Sequence, residues 1–368
     1  LLAAKTYKDR GLEGGEAYKA LIRQMGKDGW LGVGWPKQYG GQGKTEIEQF
    51  IFFGEARRFG APLPFVTLNT VGPALMSLGS EEHKKKFLPG ILAGEVHFAI
   101  GYSEPDAGTD LASLKTAAVQ DGDDWVINGT KIWTSSASDA DYIWLAARTD
   151  PDAPKHKGIT ICIVPTANQG FSCSPIDVLN GGHTYMSYYE NVRVPSANIV
   201  GQLNGGWGLI TAQLNHERIG LAAFSSYGWY LVDRTVEWAR TTKDADGVAI
   251  AERPWVQANL AEAYALVDAM KVMNWRMAWE LEQGRLSAAD ASAVKVFGTE
   301  CLIDAYRLLI EVVGPEATLR GDASTGDLAA TLENEYRAAT INTFGGGVNE
   351  VQRELVAMLG LRLPRAAR

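Results

Sequence analysis

Cysteine is scarce in this chain: Cys162, Cys173 and Cys301 are the three in 368 residues, and no two form a CxxC pair. An odd, widely spaced set suggests neither a disulfide framework nor a zinc knuckle, and fits a reducing cytoplasm. The five histidines are scattered without an HExxH, and no GxSxG occurs, so neither zinc-hydrolase nor serine-hydrolase chemistry has support and no metal is expected. Positive charge is also short. With 35 Lys and Arg against 43 Asp and Glu, the net charge of −8 argues against a general phosphate-backbone binder, and nucleic acid is not expected as a partner. No apolar run approaches the roughly 20 residues that span a bilayer, and no signal-like segment opens the chain. The first residue is Leu rather than Met, so the native start is expected to lie upstream.

What remains is ordinary globular material, 46% hydrophobic and 21% charged, enough for two or three domains with a substantial core. From Glu16 to about Gly94 apolar residues recur at three- and four-residue spacing, as in Tyr18, Leu21, Ile22 and Met25, which predicts helices. EEHKKK at Glu81 to Lys86 reads as a solvated helix face. From Val96 to about Val194 short β-prone runs follow one another, including DYIWLAAR, GITICIVP and TYMSYYENVRVP. WVINGTKIW places Asn128-Gly129 between two such runs, where both turn positions tolerate positive φ, and a hairpin is expected there. After Gly201 the helical period returns and predicts a bundle of long helices. The expected fold class is α+β: a helical domain over 1–97, a β-domain over 98–200 and a helical bundle over 201–368.

The most chemically suggestive stretch runs from Ile100 to Ser135, with IGYSEPDAGTDLASLKT, a hairpin, then KIWTSS. Ser103 and Thr109 are short hydroxyls able to donate to carbonyl or phosphate oxygens, and Ala107-Gly108 lets the backbone come close to a ligand. Taken alone, YSEPDAGTD reads equally as a β-turn with polar surface residues. Trp133 in a strand is commonly a core residue, and gains meaning only from its neighbours Thr134 and Ser135.

The order of elements and these motifs together resemble the acyl-CoA dehydrogenase family over nearly the whole chain. YSEPDAGTD is similar to its flavin and substrate signature, INGTKIWTS to its strand beside the flavin ring, and FGGGVNEVQR to its C-terminal Gly-rich loop and helix. Within the family the resemblance is nearest to the actinobacterial branch of steroid side-chain β-oxidation, in which different subunits often pair. The resemblance implies an N-terminal helical domain, a middle β-domain and a C-terminal four-helix bundle, with FAD as cofactor. It implies that the Tyr102 N–H and Ser103 hydroxyl meet the pyrimidine edge of FAD, and that Gly108 and Thr109 lie by its phosphates, Thr109 also near the acyl-CoA. Trp133 and Thr134 would pack beside the ring, and Ser135 would reach N5.

Dehydrogenation between Cα and Cβ of a thioester requires a base, and a carboxylate in a dry pocket suits because desolvation raises its pKa toward the working pH. The family's common position for that Glu is here Gly346, which has no side chain. Some branches place it at the start of the first long C-terminal helix, and QLNHERIGLAAF has Glu217 there. Leu214, Glu217, Leu221, Phe224, Gly228 and Leu231 share one helical face, so the carboxylate stands on an apolar stripe, costly unless paired or used. A structural pair with Arg218 is the alternative; catalysis is the preferred reading. By resemblance, Gly346 keeps an electrostatic role through its backbone N–H on the thioester carbonyl, and Asn215 and Arg218 touch the pantetheine and nearby atoms. His216 has no assigned role.

Two departures concern the half of the flavin site that family members give across a subunit interface. WARTTKDADG stands in place of an Arg-x-x-Phe-Gly element, and Glu311-Val312-Val313-Gly314-Pro315 in place of Gln-x-x-Gly-Gly. An acidic Glu311 is a poor neighbour for a diphosphate without cations. Val348 and Glu350 likewise replace the Thr and Gln of the last FAD contact. A related partner subunit in an α2β2 heterotetramer is therefore expected, together with an electron-transfer partner. The leading function is α,β-dehydrogenation of a bulky acyl-CoA to its trans-2-enoyl product. The competitors are a flavin oxidase or monooxygenase on the same scaffold, and a flavin-holding subunit whose partner does the chemistry.

Overall fold

A computed structural model describes residues 15–61, 63–213, 225–321 and 327–364. They divide into two compact units, one drawn from residues 1–44 and 62–217, the other from 45–61 and 218–368. Among the described residues no helix is long and apolar enough to cross a membrane.

The first unit opens with α1 (Glu16–Lys27), which buries Tyr18 and Ile22 on one face. A π-helical turn at Val66–Val71 runs into α3 (Gly72–Leu78), and α4 (Glu81–Leu92) follows. Ser80 caps α4 reciprocally with His83, and the Lys84–Glu81 pair lies on its solvent side. Together with the sheet these helices enclose Leu68, Leu75, Phe87, Leu88, Ile91 and Phe98.

Among the described residues eight strands form one mixed sheet: β1 (Phe98–Gly101), β2 (Ala117–Asp121), β3 (Asp124–Lys131), β4 (Tyr142–Arg148), β5 (Ile159–Pro165), β6 (Phe171–Asp177), β7 (His183–Pro195) and β8 (Ile199–Val200). The order is β6-β7-β3-β2-β4-β5-β8, with β1 parallel to β4. On β4, Trp144 and Ala146 join the core beneath the helices while Ile143, Leu145 and Ala147 join a second core on the opposite face. Burial on both sides explains why YIWLAAR reads as a continuous apolar run.

The hairpin lies elsewhere than Asn128-Gly129. β3 runs through both residues, and the chain reverses at Gly122-Asp123, where Asp121 pairs with Asp124 and Gly122 has φ +66°. Gly129 marks instead a register shift between β3 and β7. A Cβ there would meet Thr116 atoms at 2.5–2.8 Å, so the glycine is required by a close strand approach rather than by a turn.

The second unit is helical: α2 (Glu46–Arg58), α5 (Ser225–Thr241), α6 (Pro254–Glu282), α7 (Ala288–Val313), α8 (Leu328–Ala339) and α9 (Asn349–Leu355). Leu231, Val267, Leu302, Ala305, Leu309 and Leu332 pack at the centre of the bundle. Although it comes early in the chain, α2 belongs here, and Phe50 packs with Met277 and Ala278. Thr45 and Glu48 cap α2 reciprocally.

Candidate active site

The two motifs of the Ile100 to Ser135 stretch are built side by side by the sheet. Leaving β1, the chain turns tightly at Glu104 to Ala107, whose backbones exchange both hydrogen bonds (3.0 and 3.1 Å). That turn buries the Ala107 side chain and directs the Glu104 carboxylate inward. The carboxylate accepts the Lys115 and Thr116 N–H groups, each at 2.7 Å, and the Lys131 ammonium at 2.8 Å. Lys131 also donates to the Tyr102 carbonyl at 2.9 Å, and the Ile132 N–H to the Ser103 carbonyl at 2.9 Å.

Lys131 is wholly inaccessible and Glu104 is 8% exposed. Burial raises the Glu104 carboxyl, but the charge and hydrogen bond of Lys131, with those of Thr116 and Lys115, outweigh it and hold the group below its usual range. Burial pushes Lys131 down to about 8, with Glu104 pulling it back up, so both are ionised at neutral pH. Neither residue was singled out in the sequence. The available signal was a lysine in the middle of the β-prone run WVINGTKIW, where a charge must face either solvent or a buried partner.

The pair positions the surface that follows. Trp133 has φ +62°, which is rare for a bulky residue and costs on the order of 1 kcal/mol, yet the residue is 56% exposed. The backbone is strained to present an indole outward, the reverse of a core tryptophan. Thr134 is fully buried: its N–H donates to the Tyr185 carbonyl and its hydroxyl pairs with Ser187 at 3.0 Å. Ser135 is exposed, 3.3 Å from the Thr184 hydroxyl.

Ser103 is half-buried and Thr109 exposed. Tyr102 turns its ring into the core, where its hydroxyl meets Gln213 and accepts the Trp144 indole N–H at 3.1 Å. A Cβ on Gly108 would meet nothing within 4 Å, so packing inside the described chain does not require a glycine there. An outward indole, exposed short hydroxyls and an uncovered glycine suit a flat ring with a polar, phosphate-bearing tail.

Gly346 and Glu350 belong to the second unit. Gly346 and Gly347 are both left-handed, at φ +67° and +95°, and Glu350 is exposed on the first turn of α9. A side chain at Gly346 would therefore be strained, a conformation that suits a loop without the usual base. Glu311 is neutralised within its own helix by Arg307 at 2.9 Å and also accepts from Asn259. Of the two described members of the apolar stripe on α5, Leu231 is fully buried and a Cβ on Gly228 would meet Leu302 at 2.7 Å. Glu217, Asn215, Arg218 and His216 lie outside the described residues.

A β-domain between helical domains, bearing this pair of motifs, defines an acyl-CoA dehydrogenase. Residues 3–95, 99–192 and 204–361 match the acyl-CoA dehydrogenase N-terminal, middle and C-terminal domains, and the chain belongs to that flavin-dependent family. Acyl-CoA dehydrogenase FadE26 of Mycobacterium tuberculosis is 51% identical over 96% of this chain and 90% of its own length, and FadE29 of the same organism 50% over the same shares. Among solved structures, the Tcur3481-Tcur3483 steroid ACAD has a TM-score of 0.94 and 52% identity, covering 100% of this chain and 94% of that one. The ChsE4-ChsE5 complex from Mycobacterium tuberculosis has a TM-score of 0.91 and 51% identity, covering 99% and 94%.

Proposed function

We propose that this acyl-CoA dehydrogenase uses FAD to introduce a trans double bond between Cα and Cβ of a bulky, steroid-derived acyl-CoA. The observation that carries the cofactor assignment is Trp133, held outward on a left-handed backbone beside the Ser103 segment by the Glu104–Lys131 pair. The substrate class follows the similar steroid ACAD, and the change of sequence pattern supports domain divisions near residues 97 and 200.

The bound flavin supplies the acceptor for two electrons and the β-hydrogen. The chain's own groups do the rest. Trp133 offers its ring face, and Ser135 donates to the ring edge; Thr134 contributes by anchoring both through Tyr185 and Ser187. The Tyr102 N–H and the Ser103 hydroxyl meet the pyrimidine side, while Gly108 and Thr109 line the phosphates, Thr109 also meeting the acyl-CoA. Glu350 takes the last cofactor contact. Asn215 and Arg218 hold the pantetheine portion, and the Gly346 N–H donates to the thioester carbonyl as enolate-like charge develops.

Glu217 removes the α-proton; the sequence spacing that groups it with Gly228 and Leu231, of which Leu231 is fully buried, supports the reading. Glu217→Gln is expected to abolish turnover while flavin is retained; turnover like wild type would overturn the assignment.

The cofactor site is completed by a related subunit in an α2β2 complex. Glu311, paired with Arg307, sets an acidic side chain where the family's Gln would meet a diphosphate, and two similar solved structures are named as two-component assemblies. Reoxidation passes to an electron-transfer partner, and the site of action is cytoplasmic. Purification of the chain alone as a homotetramer with one FAD per chain would refute the heteromer.

A further inference from the structure

Resting on the reading of Gly346 as a carbonyl-binding N–H, we propose that Lys295 is a positioning residue whose buried ammonium clamps both ends of the Thr343 to Gly347 loop and so aims that N–H. Lys295 stands on α7 inside the bundle and is 4% exposed. Its Nζ donates to the Thr343 carbonyl at 3.1 Å, to the Gly347 carbonyl at 2.8 Å and to the Asn349 Oδ1 at 2.6 Å. An ammonium carries three N–H donors, and these acceptors lie within hydrogen-bond reach of them.

Between the clamped carbonyls lie the two left-handed glycines. A Gly-Gly pair is free to rotate its peptide planes, whereas a donor to developing oxyanion charge works only when its direction is fixed beforehand. At its start the loop is tied to the preceding turn, where the Phe344 and Gly345 N–H groups both donate to the Ile341 carbonyl at 3.0 Å, but these bonds stop short of the two left-handed glycines. Gln352 reaches the Gly346 carbonyl at 3.4 Å, a weak bond, and a Cβ on Gly347 would meet the Gln352 amide at 2.5 Å.

The cost of burying the ammonium is shared along a chain of partners. Asn349 donates to the Thr299 hydroxyl at 3.1 Å and to Glu300 at 2.9 Å, and Arg353 bonds both Glu300 oxygens at 2.7 Å. Burial raises the Glu300 carboxyl, but the hydrogen bonds of Arg353 and Asn349 and the charges of Arg353 and Lys295 outweigh it, so Glu300 stays ionised beside the clamp. A hydrophobic residue would fill the same space at lower desolvation cost. Its inability to tether carbonyls is what the lysine overcomes.

The test uses the flavin-loaded protein with any co-purifying partner, as wild type, Lys295→Met and Asn349→Ala. The probe is a 3-thiaacyl-CoA, whose β position is sulfur and whose α-proton ionises only when the thioester carbonyl is polarised. Its ionisation is followed by long-wavelength absorbance against pH. Removing an oxyanion donor outright costs about 10²–10³ in kcat, so a misaimed donor is expected to cost about tenfold. Both variants should raise the apparent pKa of the bound analogue by about one pH unit and lower kcat about tenfold, with KM changed less than about threefold. A lowered melting temperature with unchanged analogue ionisation would show a packing role and overturn the proposal. Should Lys295→Met not fold, Asn349→Ala decides alone, since it retains the ammonium and removes one acceptor. Failure of the wild-type complex to ionise the analogue would refute the dehydrogenase reading itself, not the clamp.

Discussion

Replacing Lys131 with Met should destabilise the sheet far more than the loss of one surface charge would. Lys131 is fully inaccessible and lies 2.8 Å from Glu104, which is itself 8% exposed, so neither solvent nor salt can screen the charge that remains. Breaking a buried pair from one side typically costs 3–5 kcal/mol. The two backbone N–H groups that Glu104 keeps, each at 2.7 Å, favour the lower end, about 3 kcal/mol. At 2–4 °C per kcal/mol for large domains this corresponds to a melting temperature lower by roughly 6–12 °C. The Tyr102 carbonyl loses its donor as well, so the 102–104 segment should loosen from the Trp133 strand and FAD should dissociate more readily. Thermal melts at fixed added FAD, with flavin fluorescence as a second signal, measure both effects. Glu104→Gln combined with Lys131→Met should cost less than the sum of the single changes, because the double variant leaves no buried charge unpaired. Strict additivity, or a Lys131→Met melt within about 1 °C of wild type, would refute the reasoning.

Two further outcomes follow from the same region. Trp133→Gly should leave the flavin-free protein as stable as wild type or about 1 kcal/mol more so, because it relieves the φ +62° backbone of an exposed residue, while weakening flavin retention severalfold. A large loss of apoprotein stability in a chemical melt would show Trp133 to be a packing residue. The Glu104 carboxyl titrates below its ordinary 4.5 in the fold, so the folded state binds fewer protons than the unfolded one as pH falls below that value. Its stabilisation is therefore complete above about 4.5 and lost in more acidic solution, and the acid limb of a stability profile should be shallower in Glu104→Gln than in wild type.

The succession of helix, strand and helix was legible because apolar spacing of three and four gives way near Val96 to short β-prone runs between turn signals, and returns after Gly201. Local signals failed where distant partners decided. Asn128-Gly129 has the composition of a hairpin turn, but β3 continues through it to pair with β7, and the close approach of Thr116 is what demands the glycine. β6 was not read as a strand: FSCSPID contains a proline and is half-exposed, so neither an apolar run nor a clean alternation marks it. In the candidate site, Trp133 and the short hydroxyls stood out by residue type. Glu104, Lys131 and Lys295 did not, because their partners are distant in sequence and a charged residue read alone is normally assigned to the surface.

Helix α2 has a bearing on how the protein is made. Phe50 can be covered only once Met277 and Ala278 have left the ribosome, although its helix is among the first segments synthesised. During that interval the nascent chain carries an apolar face with no partner, in a segment that a later-made bundle must capture. A fragment ending after the sheet would leave that face bare, and a fragment holding only the later helices would lack the residue that fills their groove. For this chain, the boundary between neighbouring sequence domains is a poor place to cut.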